Sequence, residues 1–195
     1  MQIIGLTGGI GSGKSTLSRL LEIMDIPVYI ADSESKKLTD NSPWIREKLI
    51  EKFGSDLYKT GKLDKSLLSS LIFGNEENLA YVNSVIHPVV LEDFKNWTSQ
   101  HADKEFIAIE SAILFDSGFN KTVDFTVNVS TPLEMRIHRV EVRDNLPRES
   151  IIPRINSQLP EKERNRRSDF IILNDDVAAL IPQVEKVLMN ASTQI

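Results

Sequence analysis

The chain has 195 residues, room for about one domain with an inserted subdomain, and its 41% apolar and 26% charged residues exclude a disordered polymer. Lys and Arg number 23 against 28 Asp and Glu, a formal net charge of −5, which argues against a general duplex-DNA binder but leaves room for a local basic pocket. Cysteine is absent, so disulfides, thiolate metal sites and thiol nucleophiles are excluded. No apolar run reaches the roughly 20 residues of a membrane helix, and the first residues lack the features of a signal peptide. The expectation is a soluble cytoplasmic protein with no nucleic-acid or membrane partner, a monomer or weak homo-oligomer.

In chain order, Gln2–Thr7 reads as a short buried strand and residues 14–24 as a helix, with Leu17, Leu20, Leu21 and Met24 on one face. Pro27–Ala31 is a second strand-like run. From Ser33 to Lys104 no strand is expected. Ser42-Pro43 is a helix start, 62–64 and Gly74-Asn75 are breaks, and His87-Pro88 is expected to interrupt a helical stripe that runs from Leu79 to Trp97. Trp44 and Trp97 are read as core. Phe106–Glu110, Phe125–Val129 and Phe170–Leu173 complete five strands, with a charged helical excursion over 139–167 and a last helix over 176–189. Short buried strands alternating with helices predict an α/β protein with a five-stranded parallel sheet. The core is expected over 1–32 and 105–195, with a helical insertion at 33–104.

Between the first strand and first helix lies Gly8-Gly9-Ile10-Gly11-Ser12-Gly13-Lys14-Ser15, a match to G-x-x-x-x-G-K-[ST] in the context that motif requires. Its glycines allow a tight turn that aims successive N–H groups at one anion, and the following helix adds its positive end. Lys14 can reach the β- and γ-phosphates of ATP, and the Ser15 hydroxyl can ligate Mg²⁺. A GTPase reading fails: no glycine has Asp three residues before it, and Asn120-Lys121 is followed by Thr122-Val123. A short chain with an insertion and a basic excursion points instead to a small-metabolite kinase, which must close a lid over its phosphates to exclude water.

Candidate residues follow from that chemistry. Arg139 and Arg143, at i, i+4 on one helix, can neutralise a transferring phosphoryl group. Residues 154–167 carry Arg154, Lys162, Arg164, Arg166 and Arg167 against Glu161 and Glu163, which suits a lid or equally a solvated helix. Asp32, after the second strand, can accept a proton from an attacking hydroxyl or can cap a helix. Glu110, at the end of the third strand, can hold Mg²⁺ through water or serve as a polar strand terminus. His87 can be a substrate contact or a buried structural histidine.

The ordered motifs resemble the dephospho-coenzyme A kinase family. They are residues 4–16, Ala31-Asp32, Ile86-His87-Pro88, Ile113-Leu114-Phe115-Asp116-Ser117-Gly118, Arg139-x-x-x-Arg143-Asp144, Arg154-Ile155-x-x-Gln158-x-Pro160, and Ser168-Asp169 leading to Asn174. Ile30, Lys36, Ala112 and Asp116 depart from that family's usual residues, as does Glu110, and Lys36 lacks the planar fork of an arginine. The resemblance implies a three-layer P-loop kinase fold and Mg²⁺-dependent transfer of the ATP γ-phosphate to the ribose 3′-hydroxyl of dephospho-CoA. It implies that the insertion receives the acceptor, with Asp32, Lys36, His87 and Leu114 as substrate contacts. It implies that the region from Arg139 to about Arg166 is a lid, that Gly8, Gly9, Gly11, Ser12, Gly13, Lys14, Ser15 and Thr16 bind the nucleotide, and that Arg139 and Asn174 approach adenine. Read without the resemblance, the residues leave open another P-loop kinase, such as a nucleoside monophosphate kinase, or a non-catalytic ATP-binding adaptor.

Overall fold

The computed structural model describes residues 1–193. The chain divides into two compact units: Met1–Tyr29 together with the chain from His101 onward, and Ile30–Gln100.

The first unit is built on a sheet with strand order β2-β3-β1-β4-β5, from β1 (Gln2–Gly8), β2 (Val28–Ile30), β3 (Phe106–Glu110), β4 (Phe125–Ser130) and β5 (Phe170–Leu173). The β1–β3, β1–β4 and β4–β5 pairs run parallel, with Leu6 opposite Glu110 on one side and Val127 on the other. The central strand therefore ends between two neighbours whose ends lie alongside its own.

Alternation along the strands decides which helix covers which face. In β4, Phe125, Val127 and Val129 share a core with Leu17 and Leu21 of α1 (Lys14–Ile23) and with Val184, Val187 and Ala191 of α9 (Leu180–Ser192). The intervening residues are polar and face the other way. Thr126 bonds Asp169, Asn128 donates to Asn165 at 2.5 Å, and Ser130 donates to Glu161 at 2.5 Å. These partners lie in or beside α8 (Glu161–Arg167), which follows α6 (Leu133–Asp144) and α7 (Arg148–Asn156). On the outer strand β5, the Gln183 side chain takes a bond from the Leu173 N–H at 2.8 Å and gives one to its carbonyl at 2.9 Å.

The second unit is helical: α2 (Ala31–Asn41), α3 (Pro43–Phe53), α4 (Lys65–Ile72) and α5 (Glu76–Ser99). Ser42 caps α3 by accepting from Ile45 N, Asp64 caps α4 through Leu67 N, and Asn75 caps α5 through Asn78 N, each a favoured N-cap residue. Ile45, Leu49, Leu57, Tyr58, Leu68, Val82 and Val85 form its core.

Three expectations are corrected. Helix α5 runs through His87-Pro88 unbroken for 24 residues. The proline removes one backbone donor, but Val82 and Val85 before it and Val90 and Phe94 after it are all buried, and that burial outweighs one lost bond. The last helix begins at Leu180, not 176, because Asp176 adopts a left-handed φ of 62° and Asp175 turns the chain by accepting from the N–H groups of Val177 and Ala178. Trp44 is 46% exposed rather than core, since the buried face of α3 belongs to Ile45 and Leu49.

Tyr58 supplies a pH test of the helical unit. Its hydroxyl donates to Thr39 O at 2.9 Å, and burial, with a smaller push from Asp40, raises its pKa to about 12. The folded state thus prefers the neutral phenol. The contribution is constant below pH 10 and is lost as pH rises from 10 towards 12, by up to about 3 kcal/mol. Urea midpoints of wild type and Tyr58→Phe are expected to converge over that window; parallel pH curves would contradict it.

Candidate active site

The site begins with the turn after β1. Gly13 takes φ 89° as the residue before α1 and accepts from the N–H groups of Thr16 and Leu17 through its carbonyl. A left-handed conformation there favours glycine, and a side chain would also strike the Asn174 amide. That amide donates to Ser12 O at 2.8 Å, and the Thr131 hydroxyl lies 3.0 Å from the same oxygen and 2.8 Å from Asn174 O. The ends of β4 and β5 thereby brace the turn from below. Asn174, implied near adenine by resemblance, sits under the loop as a backbone support.

Lys14 opens α1, and its Nζ lies 4.0 Å from Glu110 Oε1, with both side chains largely buried. Parallel pairing of β1 and β3 sets this contact, because it brings the last residue of β3 level with Leu6. Ser15 and Thr16 follow in the first turn of α1 and are exposed. Ser15 carries a hydroxyl and Glu110 a carboxylate, the type of oxygen donor that Mg²⁺ takes alongside waters and phosphate oxygens. No cluster of three or more metal-ligating side chains occurs among the described residues.

Arg139 donates to Asp176 at 2.6 Å and to Asn174 O at 3.3 Å, and its Nη1 would lie 3.8 Å from a side-chain carbon at Gly13. Arg143 goes elsewhere. It is exposed and forms a two-pronged pair with its neighbour Asp144 at 2.7 and 2.9 Å. Leu114 is completely buried, its methyl 2.9 Å from where a side chain on Gly5 would begin, so its position is that of a core residue packed on β1. In the second unit, Asp32 and Lys36 are exposed on α2. Asp32 lies inside the first turn of that helix, whose cap position is Ile30, so it is not the cap. His87 is half-buried within α5, and burial lowers its pKa.

Two further arginines reach the loop: Arg136, which the sequence reading passed over, and Arg164, which it placed only in the basic run of 154–167. Arg136 donates through Nε to Ile10 O at 2.9 Å and through Nη1 to Glu161 at 3.2 Å. Arg164 donates to Leu159 O. A side chain at Gly9 would collide with both guanidinium groups. The signal was present: Arg136 stands three residues before Arg139, a same-face spacing equal to the i, i+4 pair.

Several buried polar atoms around the loop lack partners. Arg136 Nη2, Arg139 Nη1, Arg164 Nε and Ser12 Oγ are buried and have no hydrogen-bond partner among the described residues. These four can donate and three are cationic; Thr7 Oγ1 and the acceptor Asn128 Oδ1 are buried without partners as well. Buried charged donors without acceptors are costly, and the oxygens of an anion are the acceptors such donors lack.

A parallel sheet whose central strand feeds a glycine turn, a lysine and a helix, with arginines converging on the turn, defines a P-loop kinase. The family sequence model described as Dephospho-CoA kinase matches residues 2–179. A dephospho-CoA kinase of Bacteroides fragilis is 45% identical over 185 residues, covering 95% of this chain and 90% of the relative. A crystal structure of a Thermus thermophilus protein matches with a TM-score of 0.82 at 30% identity, covering 100% and 97% of the two chains. A dephospho-CoA kinase from Campylobacter jejuni shares the fold, with a TM-score of 0.67 at 23% identity over 99% and 98%. The chain belongs to the dephospho-CoA kinase family.

Proposed function

We propose that this protein transfers the γ-phosphate of ATP to the ribose 3′-hydroxyl of dephospho-CoA, giving CoA and ADP. Family membership over residues 2–179 supports the substrate pair. The observation that carries the chemistry is the set of buried, unsatisfied donors around the loop of residues 8–15.

In this reading the loop amides, Lys14 and Arg139 hold the polyphosphate. Ser15 and Glu110 would hold Mg²⁺, which would supply charge neutralisation between the phosphates. The helical unit Ile30–Gln100 takes the acceptor, with Lys36 and His87 as contacts, and Asp32 accepts the proton of the attacking hydroxyl. A weak base suffices, since the transition state of phosphoryl transfer is loose and positioning dominates. Residues 139–167 serve as the lid that limits hydrolysis. No helix of the described residues is long and apolar enough to cross a membrane, and a cytoplasmic biosynthetic role suits the reaction.

The deciding experiment incubates the protein with ATP, Mg²⁺ and either dephospho-CoA or a panel of nucleoside monophosphates. ADP formation with dephospho-CoA alone is the expected result. Turnover of a nucleotide in its place, or nucleotide binding with no acceptor phosphorylated, overturns it.

A further inference from the structure

Arg136 and Arg164 differ from the other arginines of α6 to α8 in being buried, at 3% and 2% exposure. Arg143, Arg148 and Arg166 each pair with a carboxylate on the surface. The buried two converge on one point. A carbon built on Gly9 would meet Arg136 Nη2 first, Arg136 Cζ at 2.5 Å and Arg164 Nη2 at 2.7 Å. Both groups therefore lie against the main chain at the start of the loop, at the opposite end from Gly13, where Arg139 lies.

Their compensation is incomplete. Glu161 is the carboxylate hydrogen-bonded to the pair, through Arg136 Nη1, and it divides its oxygens with the Ser130 hydroxyl at 2.5 Å and Thr131 N at 3.2 Å. Among the described residues Arg164 has no carboxylate hydrogen bond; its Nη1 is spent on the Leu159 carbonyl. Arg136 Nη2 and Arg164 Nε are left without acceptors. Burial, followed by repulsion from Arg136, lowers the pKa of Arg164, while Glu161 and Asp116 act against that shift. With Glu161 hydrogen-bonded to the pair and Asp116 acting on Arg164 electrostatically, the two guanidinium groups still offer two donors that a further anion can satisfy.

Resting on the kinase reading above, we propose that Arg136 and Arg164 form a clamp for the terminal phosphoryl group of the nucleotide, and that Glu161 is a positioning residue that fixes Arg136 on the loop. Three features support the terminal group over the inner phosphates. The pair covers Gly9 and Ile10, away from the helix end that holds Lys14 and Ser15. Its free donors come from two different helices, α6 and α8, and so approach one anion from two directions. A transferring phosphoryl group spreads charge over three equatorial oxygens, which more than one planar donor is needed to satisfy. The clamp therefore distinguishes a nucleoside triphosphate from a diphosphate and favours release of ADP after transfer.

The test compares wild type, Arg136→Gln, Arg136→Lys and Arg164→Gln by calorimetric titration with ADP and with a non-hydrolysable β,γ-methylene ATP analogue, each with Mg²⁺. The expected result is a triphosphate preference in wild type that falls by about tenfold or more in both Gln variants, with ADP affinity unchanged within about threefold; kcat falls roughly 10²-fold, the usual cost of one oxyanion donor. Arg136→Lys keeps the buried charge and guards against misfolding in the Gln variant; loss of the planar fork alone is expected to reduce the preference part-way. Glu161→Gln tests the positioning role: it is expected to lower kcat without changing ADP affinity, while Arg136→Gln combined with it adds little. Wild-type ratios of triphosphate to diphosphate affinity in folded Arg136→Lys and Arg164→Gln overturn the clamp. Binding is read without an acceptor, so a wild type that ignores dephospho-CoA overturns the substrate assignment alone.

Discussion

Replacing Lys14 by alanine is expected to lower kcat/KM roughly 10³-fold while leaving the far-UV circular dichroism of the chain intact. The magnitude follows from removing one preorganised cationic donor from a shielded site, typically 10²–10³ in rate, at a position where charge develops between the phosphates. Lys14 belongs to the first turn of α1 and its ammonium lies 4.0 Å from Glu110 in a largely buried setting, so it is held in place before any nucleotide arrives. The measurement is initial rate against ATP at saturating dephospho-CoA. Lys14→Arg keeps the charge but replaces a compact ammonium with a bulky planar fork and is expected to recover little. Near-normal turnover in Lys14→Ala would sink the assignment of the loop as the reacting centre.

Asp32→Asn is expected to act differently, cutting kcat by about 10²–10⁴ with little change in affinity for the ATP analogue, as loss of a general base does. The substitution preserves shape. Asp32 is exposed in the first turn of α2 and is not the cap of that helix, so the fold loses only a favourable charge at a helix start, a few tenths of a kcal/mol. Calorimetry for nucleotide binding and single-turnover rates for transfer separate the two effects. Collapse of nucleotide affinity with an unaffected transfer step would assign Asp32 to the nucleotide and leave the hydroxyl without a proton acceptor.

The loop was legible in the sequence because its geometry is written in residue types: a turn this tight at Gly9 and Gly13 admits no side chain. The strands were legible because buried parallel strands are short apolar runs, and Phe106–Glu110 and Phe170–Leu173 carry the bounds expected of them. The arginine assignment went astray at Arg143. Periodicity says which residues share a face but not which end of a helix is covered, and α6 is covered at Arg136, Ile137 and Val140 while Arg143 sits near its exposed end beside Asp144. Pro88 misled for a related reason: its local cost is readable, whereas the burial on both sides that overrides it is a property of the packed unit. Leu114 lay within a matching motif, and only packing against Gly5 shows it as interior.

The amide of Gln183 on Leu173 has an effect beyond its two bonds. Strand β5 ends the sheet, and Ile171 and Leu173 leave greasy surface there, at 50% and 40% exposure. A bare border of this kind invites stacking by a strand from another molecule. The glutamine imitates the missing neighbour at one rung, giving and taking as a peptide group does, so a would-be intruder must first evict it. The chain thus carries its own plug against polymerisation in a side chain remote from the chemistry.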